Sequence, residues 1–202
     1  MQRPVVIVPG IGGSGPDHWQ SLWQAGLPDV RRIDPASWDQ PDLDDWVAAI
    51  DRAVAASTAP PVLVAHSLGC LAVVHWAGRA AAAGPIAGTD AAAPTDAATP
   101  AGPAAGAFLV APPDVRGPEF PGSATSFIGD PPAPLPIPAV LITSSDDPYC
   151  TLAHAAELAA AWDAPRIDIG AHGHVNVASG FGPWPEGRRL LDAFGESLAR
   201  AA

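Results

Sequence analysis

The stretch Val62-Leu63-Val64-Ala65-His66-Ser67-Leu68-Gly69-Cys70 decides how the rest of the chain is read. A short apolar run of strand length meets a serine that has Ala65 two places before it and Gly69 two places after. Leu71–Trp76 then continues as an apolar helix. This is the nucleophile-elbow spacing, with alanine where its first glycine usually stands. The spacing has a steric cause: strand and helix approach so closely at the turn that bulk two residues away would clash. Such a turn raises the serine hydroxyl above the sheet. It also leaves the Leu68 N–H at a helix N-terminus, where it can stabilise charge developing on an oxygen. The plainer alternative is an ordinary strand–helix junction with Ser67 as the helix N-cap.

Other apolar runs repeat the theme. Val5–Val8 stops at Pro9-Gly10, Phe108–Ala111 at Pro112-Pro113, and Val140–Thr143 at Ser144-Ser145, while Val30–Ile33 and Arg166–Ile169 are weaker candidates. Continuous rather than alternating apolar runs indicate strands buried on both faces. Helices are predicted between them at Asp42–Ser57, Leu68–Ala83, Leu152–Ala161 and Gly187–Ala201, with a short one carrying His18, Trp19 and Trp23. In the first of these, Leu43, Trp46, Val47, Ile50 and Val54 share one face. The alternation predicts an α/β fold, a mostly parallel sheet with helices on both faces.

At 202 residues the chain has enough length for one domain, 1–202, that folds without staples. One tract departs from the pattern: residues 80–107 hold 14 Ala, four Pro and four Gly, with Ile86 the only large apolar side chain. So little buriable surface cannot offset ordering entropy, and a flexible insertion is expected there rather than a cap domain. Ten basic residues, all Arg, against 21 acidic ones give a net charge of −11. That balance argues against nucleic acid or an anionic membrane as partner. Cys70 and Cys150 are too few for a disulfide framework and lack the spacing of a zinc site. Val5–Val8 is too short for a signal-peptide core, and no run approaches a membrane span. A cytoplasmic monomer is expected.

The loop Pro9-Gly10-Ile11-Gly12-Gly13-Ser14-Gly15 follows the first strand. A Walker phosphate loop is excluded because the chain contains no Lys. A dinucleotide fingerprint, Gly10-x-Gly12-x-x-Gly15 with Asp34 as acidic partner, is a weak match. Beside Ser67, a third reading fits better: Ile11 or Gly12 supplies the second N–H of an oxyanion hole, with Leu68 as the first.

A serine hydroxyl needs a base, and the base an orienting acid. Past Val140–Thr143 come Asp146 and Asp147, and past Arg166–Ile169 come His172 and His174. Each cluster lies beyond a strand's C-terminal end, where open α/β sheets place their sites, and the order is Ser, acid, His. Asp147 is the first choice of acid, with Asp146 (otherwise a cap for the following helix) and Asp114 as alternatives. The glycine before His174 suits a tight loop delivering its ring to Ser67, and His172 reads as a loop residue bonded to backbone. His66 is expected to point into loop packing and Cys70 to pack as a small apolar group. His18, Trp19 and Asp114 are candidates for the substrate pocket, with core packing as the alternative for Trp19; Trp184 reads as closing the core.

Together these motifs resemble a family of small, capless α/β-hydrolases comprising the bacterial YdeN-type proteins and the retinoblastoma-binding serine hydrolase of animals. The likeness is carried by Val8-Pro9-Gly10 through His18-Trp19-Gln20, by Ala65–Cys70, by Val110–Asp114, by Ser145–Pro148, and by Gly173–Asn176 through Ser179–Gly182 to Trp184-Pro185-Glu186-Gly187. The resemblance implies a serine hydrolase of small acyl substrates, with nucleophile Ser67, acid Asp147 and base His174. The 80–107 tract departs from it as an insertion. Ester cleavage through an acyl-enzyme is therefore expected, with no cofactor and no metal. The competing expectation is a non-catalytic interaction module on the same fold.

Overall fold

The computed structural model describes residues 3–83, 104–129 and 133–201. Six strands form one sheet: β1 (Val5–Val8), β2 (Val30–Arg32), β3 (Val62–His66), β4 (Gly106–Val110), β5 (Ala139–Thr143) and β6 (Arg166–Asp168). Their order is β2-β1-β3-β4-β5-β6, and every neighbouring pair is parallel. Strands β1, β3, β4 and β5 are buried at every residue, as their apolar sequences require. The edge strands β2 and β6 have only three residues each and are partly or fully exposed, which is why their sequences are the weak ones.

Five helices cover the sheet: α1 (Trp19–Gly26), α2 (Leu43–Ala55), α3 (Leu68–Ala83), α4 (Leu152–Trp162) and α5 (Pro185–Ala201). Alternate strand residues point to opposite faces, so each strand feeds two apolar layers. Val6, Leu63, Leu109 and Leu141 pack with Trp46 and Ile50 of α2, Val73 and Trp76 of α3, and Trp162 of α4. Ile7, Val64, Phe108 and Ile142 pack on the other side with Trp19 and Trp23 of α1 and Leu191 and Leu198 of α5. Helices therefore lie on both faces.

The element ends show local chemistry. Asp42 stands outside α2 as its cap, accepting the Asp45 N–H; at the other end Ala56 N–H makes the last helical bond, to Arg52 O, and Ser57 N–H turns to Val54 O in a tighter closing turn. Helix α5 starts two residues earlier than predicted, at Pro185, a residue suited to a first helical turn. Two short 3-10 turns, Gly122–Phe127 and Val177–Ser179, have no signature in the sequence. Of the stretch 80–107 expected as a flexible insertion, residues 80–83 continue α3, and β4 begins at Gly106 with Ala104 and Ala107 already buried. The middle of that stretch, 84–103, lies outside the described residues. Among the described residues there is no separate cap domain, and no helix is long and apolar enough to cross a membrane.

The topology selects one place for a site. From β1 the chain steps outward to β2, and α2 then carries it back to β3 on the other side of β1. At this reversal the connections above β1 and β3 leave in opposite directions and open a crevice at the strands' C-terminal ends. Val8 and Ala65 are register partners, so the Gly10 loop and the Ser67 turn emerge side by side.

Candidate active site

Ser67 occupies the left-handed region, with φ of +54°. For a non-glycine residue that conformation costs on the order of 1 kcal/mol and persists only when its surroundings hold it. Here its N–H donates to Val110 O of β4 at 3.0 Å, and its carbonyl accepts the Cys70 N–H at 2.9 Å as α3 begins. The small residues around it are required by contact. A Cβ on Gly69 would stand 2.4 Å from Val8 O and 2.5 Å from Pro9 O, and one on Gly10 would stand 2.9 Å from Ser67 Cβ.

The Ser67 hydroxyl donates to His174 Nε2 at 2.8 Å. On the far side of the ring, His174 Nδ1 meets both carboxylate oxygens of Asp147, at 2.9 and 3.0 Å. The Asp147 side chain is only 2% exposed and that of His174 8%. Asp147 Oδ1 also accepts the Tyr149 N–H at 2.9 Å. A carboxylate can only accept, so the proton of a neutral His174 sits on Nδ1 and leaves Nε2 bare toward the serine. A hydroxyl, an imidazole and a buried carboxylate in line form an arrangement able to activate an oxygen nucleophile.

The loop carrying His174 is pinned at successive residues. Ser144 Oγ accepts the His172 N–H at 2.9 Å, Asp146 Oδ1 the Gly173 N–H at 2.6 Å, and Ser179 Oγ the His174 N–H at 3.0 Å. His66 Nε2 donates to His174 O at 2.9 Å, and Trp19 Nε1 to Val175 O at 2.9 Å. These bonds hold Gly173 and Val175 at φ of +53° and +52°, the latter a strained value for a β-branched residue. A Cβ on Gly173 would lie 2.5 Å from Ser179 Oγ.

Ser67, His66 and His174 open into a cavity of about 430 Å³ whose walls include Ile11, Pro121, Tyr149 and Val177. Two of its imidazoles, His18 and His66, are hard to protonate. Burial, then the charges of Arg32 and His174, pushes His18 down to about 4, and burial with the His174 charge holds His66 well below the usual histidine range. Ile11 N–H and Leu68 N–H have no hydrogen-bond acceptor among the described residues, and both residues line the cavity.

Several expectations need correction. Gly12 is not a free donor, because its N–H is directed to Trp38 O at 3.3 Å; Ile11 remains. Trp19 does not line the cavity. It is fully buried against Trp23 and Trp184, and it supports the site from behind through its bond to the His174 loop and its ring contacts with His18 and His66. Asp114 faces away from the cavity, accepting the Arg116 N–H at 2.8 Å with His154 Nε2 at 3.4 Å. Asp146 neither reaches His174 nor caps α4, whose N-cap is Thr151. Its hydrogen bonds from Gly173 N–H and Ser144 Oγ lower its pKa while they tie the histidine loop down. His66 packs on the His174 loop, as expected of a loop-packing residue, and it lines the cavity as well.

The other placements follow the reading. His18 lines the cavity; His172 lies in the loop, but its bond differs from the expected one, running from its own N–H to the Ser144 side chain while its ring stands edge-on to Phe181. Cys70 is buried and donates to Val110 O, with burial pushing its thiol pKa upward. Trp184 is buried, stacked on Trp23. Tyr149 in the cavity wall, and Asn176 and Ser179 bracing the His174 loop, have roles that the sequence reading does not assign; their closeness in sequence to Asp147 and His174 is the available signal. No group of three or more His, Cys, Asp or Glu among the described residues could hold a metal ion.

No curated protein matches the chain. Among solved structures it is similar to a YdeN-like hydrolase from Pectobacterium atrosepticum, at 34% identity and a TM-score of 0.76 over 98% of this chain and 92% of that one. It also resembles the ydeN gene product of B. subtilis, at 21% identity and a TM-score of 0.73 over 95% and 98% of the two chains. A monoacylglycerol lipase of Paleococcus ferrophilus, at 15% identity and a TM-score of 0.64 over 100% and 97%, shares the α/β-hydrolase fold. The serine hydrolase family is matched over residues 5–105 and 97–193, stretches that contain Ser67, Asp147 and His174. A hydrolase fold, a family match along nearly the whole chain and a YdeN-like relative agree: the chain belongs to the serine hydrolase family.

Proposed function

We propose that the protein is an esterase-like serine hydrolase that cleaves small, uncharged acyl esters through an acyl-enzyme on Ser67. In the first half-reaction His174 Nε2 takes the hydroxyl proton as Ser67 Oγ attacks the ester carbonyl. The negative charge gathers on the carbonyl oxygen, toward Leu68 N–H and Ile11 N–H. Asp147 keeps the ring oriented and stabilises its charged form. Collapse of the intermediate breaks the ester C–O bond, and His174 returns the proton to the departing alcohol. In the second half water attacks the acyl-enzyme, giving its proton to His174, and the acid leaves as Ser67 recovers its hydrogen. Each proton has a residue to hold it, so this chemistry calls for no cofactor or metal.

The substrate class follows from the walls. Among the described residues no Asp, Glu, Lys or Arg side chain lines the cavity, and its volume of about 430 Å³ suits a short acyl group. Ile11 and Val177, 37% and 49% exposed, put apolar surface at the mouth. The observation that carries the reading is the continuous Ser67–His174–Asp147 hydrogen-bond line at 2.8 and 2.9 Å. The test is hydrolysis of p-nitrophenyl acetate and butyrate by wild type and Ser67→Ala. A fall in turnover on the order of 10⁴–10⁶ supports the proposal. Undiminished turnover in the variant removes it, and a folded wild type inert toward both esters favours an interaction module.

A further inference from the structure

The oxyanion loop, unlike the Ser67 turn, lies outside regular structure, yet three successive residues in it take positive φ: Gly12 at +78°, Gly13 at +72° and Ser14 at +53°. Ser14 has a Cβ, so this path is strained and needs external restraint. The restraint comes from β2 and α1. Arg32 Nη1 donates to Gly13 O at 2.6 Å and to Ser14 O at 3.3 Å, its Nη2 to Ser21 Oγ at 2.8 Å, and its Nε to Gln24 Oε1 at 2.7 Å. Ser21 Oγ donates to Ser14 O at 2.6 Å, and Ser14 Oγ to Gln20 Oε1 at 2.7 Å. Gln20 is fully buried, and its amide donates to Val8 O of β1 at 3.2 Å and Val64 O of β3 at 3.0 Å. The loop is thus tied to the two strands flanking the crevice.

Arg32 is unusual within this network. In a chain carrying −11 it is half-buried, yet among the described residues it forms no salt bridge with a carboxylate. Its donors go to two backbone carbonyls of the loop and two neutral side chains. Withdrawing a guanidinium from water without an anion is unfavourable unless its hydrogen bonds are specific. A planar fork meets several acceptors at fixed angles, which a lysine ammonium cannot reproduce.

We propose that Arg32 is a positioning residue for oxyanion stabilisation: by holding the Gly13 and Ser14 carbonyls it keeps Ile11 N–H turned toward Ser67. This rests on the acyl-transfer reading above. Freed of the clamp, the loop relaxes from its strained path and the donor is lost from the place where charge develops. The loss falls on the transition state and leaves ground-state binding in place.

The test compares wild type, Arg32→Gln and Arg32→Lys on p-nitrophenyl butyrate, with a butyryl trifluoromethyl ketone as an inhibitor that captures the serine as an oxyanion. In both variants kcat falls about 10–100-fold, somewhat less than deletion of an oxyanion donor costs. KM stays within about threefold, and inhibitor affinity falls in step with kcat. Lysine does not rescue, because one ammonium cannot reach Gly13 O, Ser21 Oγ and Gln24 Oε1 together. Unchanged kcat, full rescue by Arg32→Lys, or a loss of kcat without loss of inhibitor affinity overturns the proposal. Should Arg32→Gln fail to fold, Arg32→Lys carries the same comparison. A wild type that neither turns over the ester nor binds the ketone sinks the acyl-transfer reading instead, so the two failures are distinct.

Discussion

Asp146 and Asp147 are adjacent in sequence, and exchanging each for asparagine separates their roles. In Asp147→Asn, Tyr149 N–H still needs an acceptor, so the amide oxygen takes the place of Oδ1, which now accepts that bond at 2.9 Å. The amide NH₂ then takes the place of Oδ2, which now lies 3.0 Å from His174 Nδ1. A donor facing Nδ1 forces the ring hydrogen onto Nε2, which must then donate to Ser67 Oγ rather than accept from it. The geometry survives while the tautomer is wrong. The expected fall in kcat is about 10⁴, the size known for this exchange in another serine hydrolase, or about 5.4 kcal/mol of barrier at 1.36 kcal/mol per decade. KM changes little because Asp147 does not touch substrate. In Asp146→Asn, an amide oxygen can still accept the Gly173 N–H and Ser144 Oγ bonds, now 2.6 and 2.9 Å long. Only the charge assistance is lost, so kcat falls less than about tenfold. Steady-state hydrolysis of p-nitrophenyl butyrate, with circular dichroism to verify folding, measures both. Equal losses in the two variants, or Asp147→Asn within tenfold of wild type, would refute this assignment.

Other perturbations follow from the same contacts. Gly69→Ala places a Cβ against two backbone oxygens that cannot swing aside, 2.4 and 2.5 Å away; we expect destabilisation of at least 1–3 kcal/mol in urea denaturation, with loss of activity. Trp19→Phe removes the 2.9 Å bond to Val175 O while retaining an aromatic ring; kcat is expected to drop about 3–30-fold, consistent with a net hydrogen-bond contribution of about 1 kcal/mol or somewhat more, with little change in KM. His18 and His66 have folded-state pKa values below their unfolded ones, His18 at about 4 against 6.5. The unfolded chain therefore binds more protons in acid. Their contribution is fully present above about pH 6.5 and lost as pH falls toward 4, so the melting temperature should decline across that window. A His18→Asn variant, which keeps an acceptor for the Gln20 N–H, should show a shallower decline.

The parts of the fold that could be read from sequence are those dominated by burial. β1 and β4 are unbroken apolar runs, and β3 and β5 are apolar up to their last residues, His66 and Thr143, because both faces of each strand are covered. The steric demand at Ser67 leaves a mark two residues to either side, which is why the elbow could be recognised. Choices made by distant contacts left no local mark. Gly12 and Ile11 are equivalent as sequence, and the Trp38 carbonyl separates them. Asp146 and Asp147 differ only in which way each leaves the turn after β5. Trp19 next to His18 reads as a pocket residue, but one step along the chain at a helix start sends His18 to the cavity and Trp19 into the core. Asp114 follows a strand as expected, yet the Arg116 N–H and His154 draw it aside.

The central claim is that Ser67 is a primed nucleophile. Intact-protein mass spectrometry of the wild type after exposure to a fluorophosphonate, followed by peptide mapping, tests it most directly. We expect one phosphonyl adduct per chain, located on Ser67, absent from Ser67→Ala and formed far more slowly in His174→Ala. A folded wild type that remains unlabelled, or an adduct mapped to another residue, would contradict it.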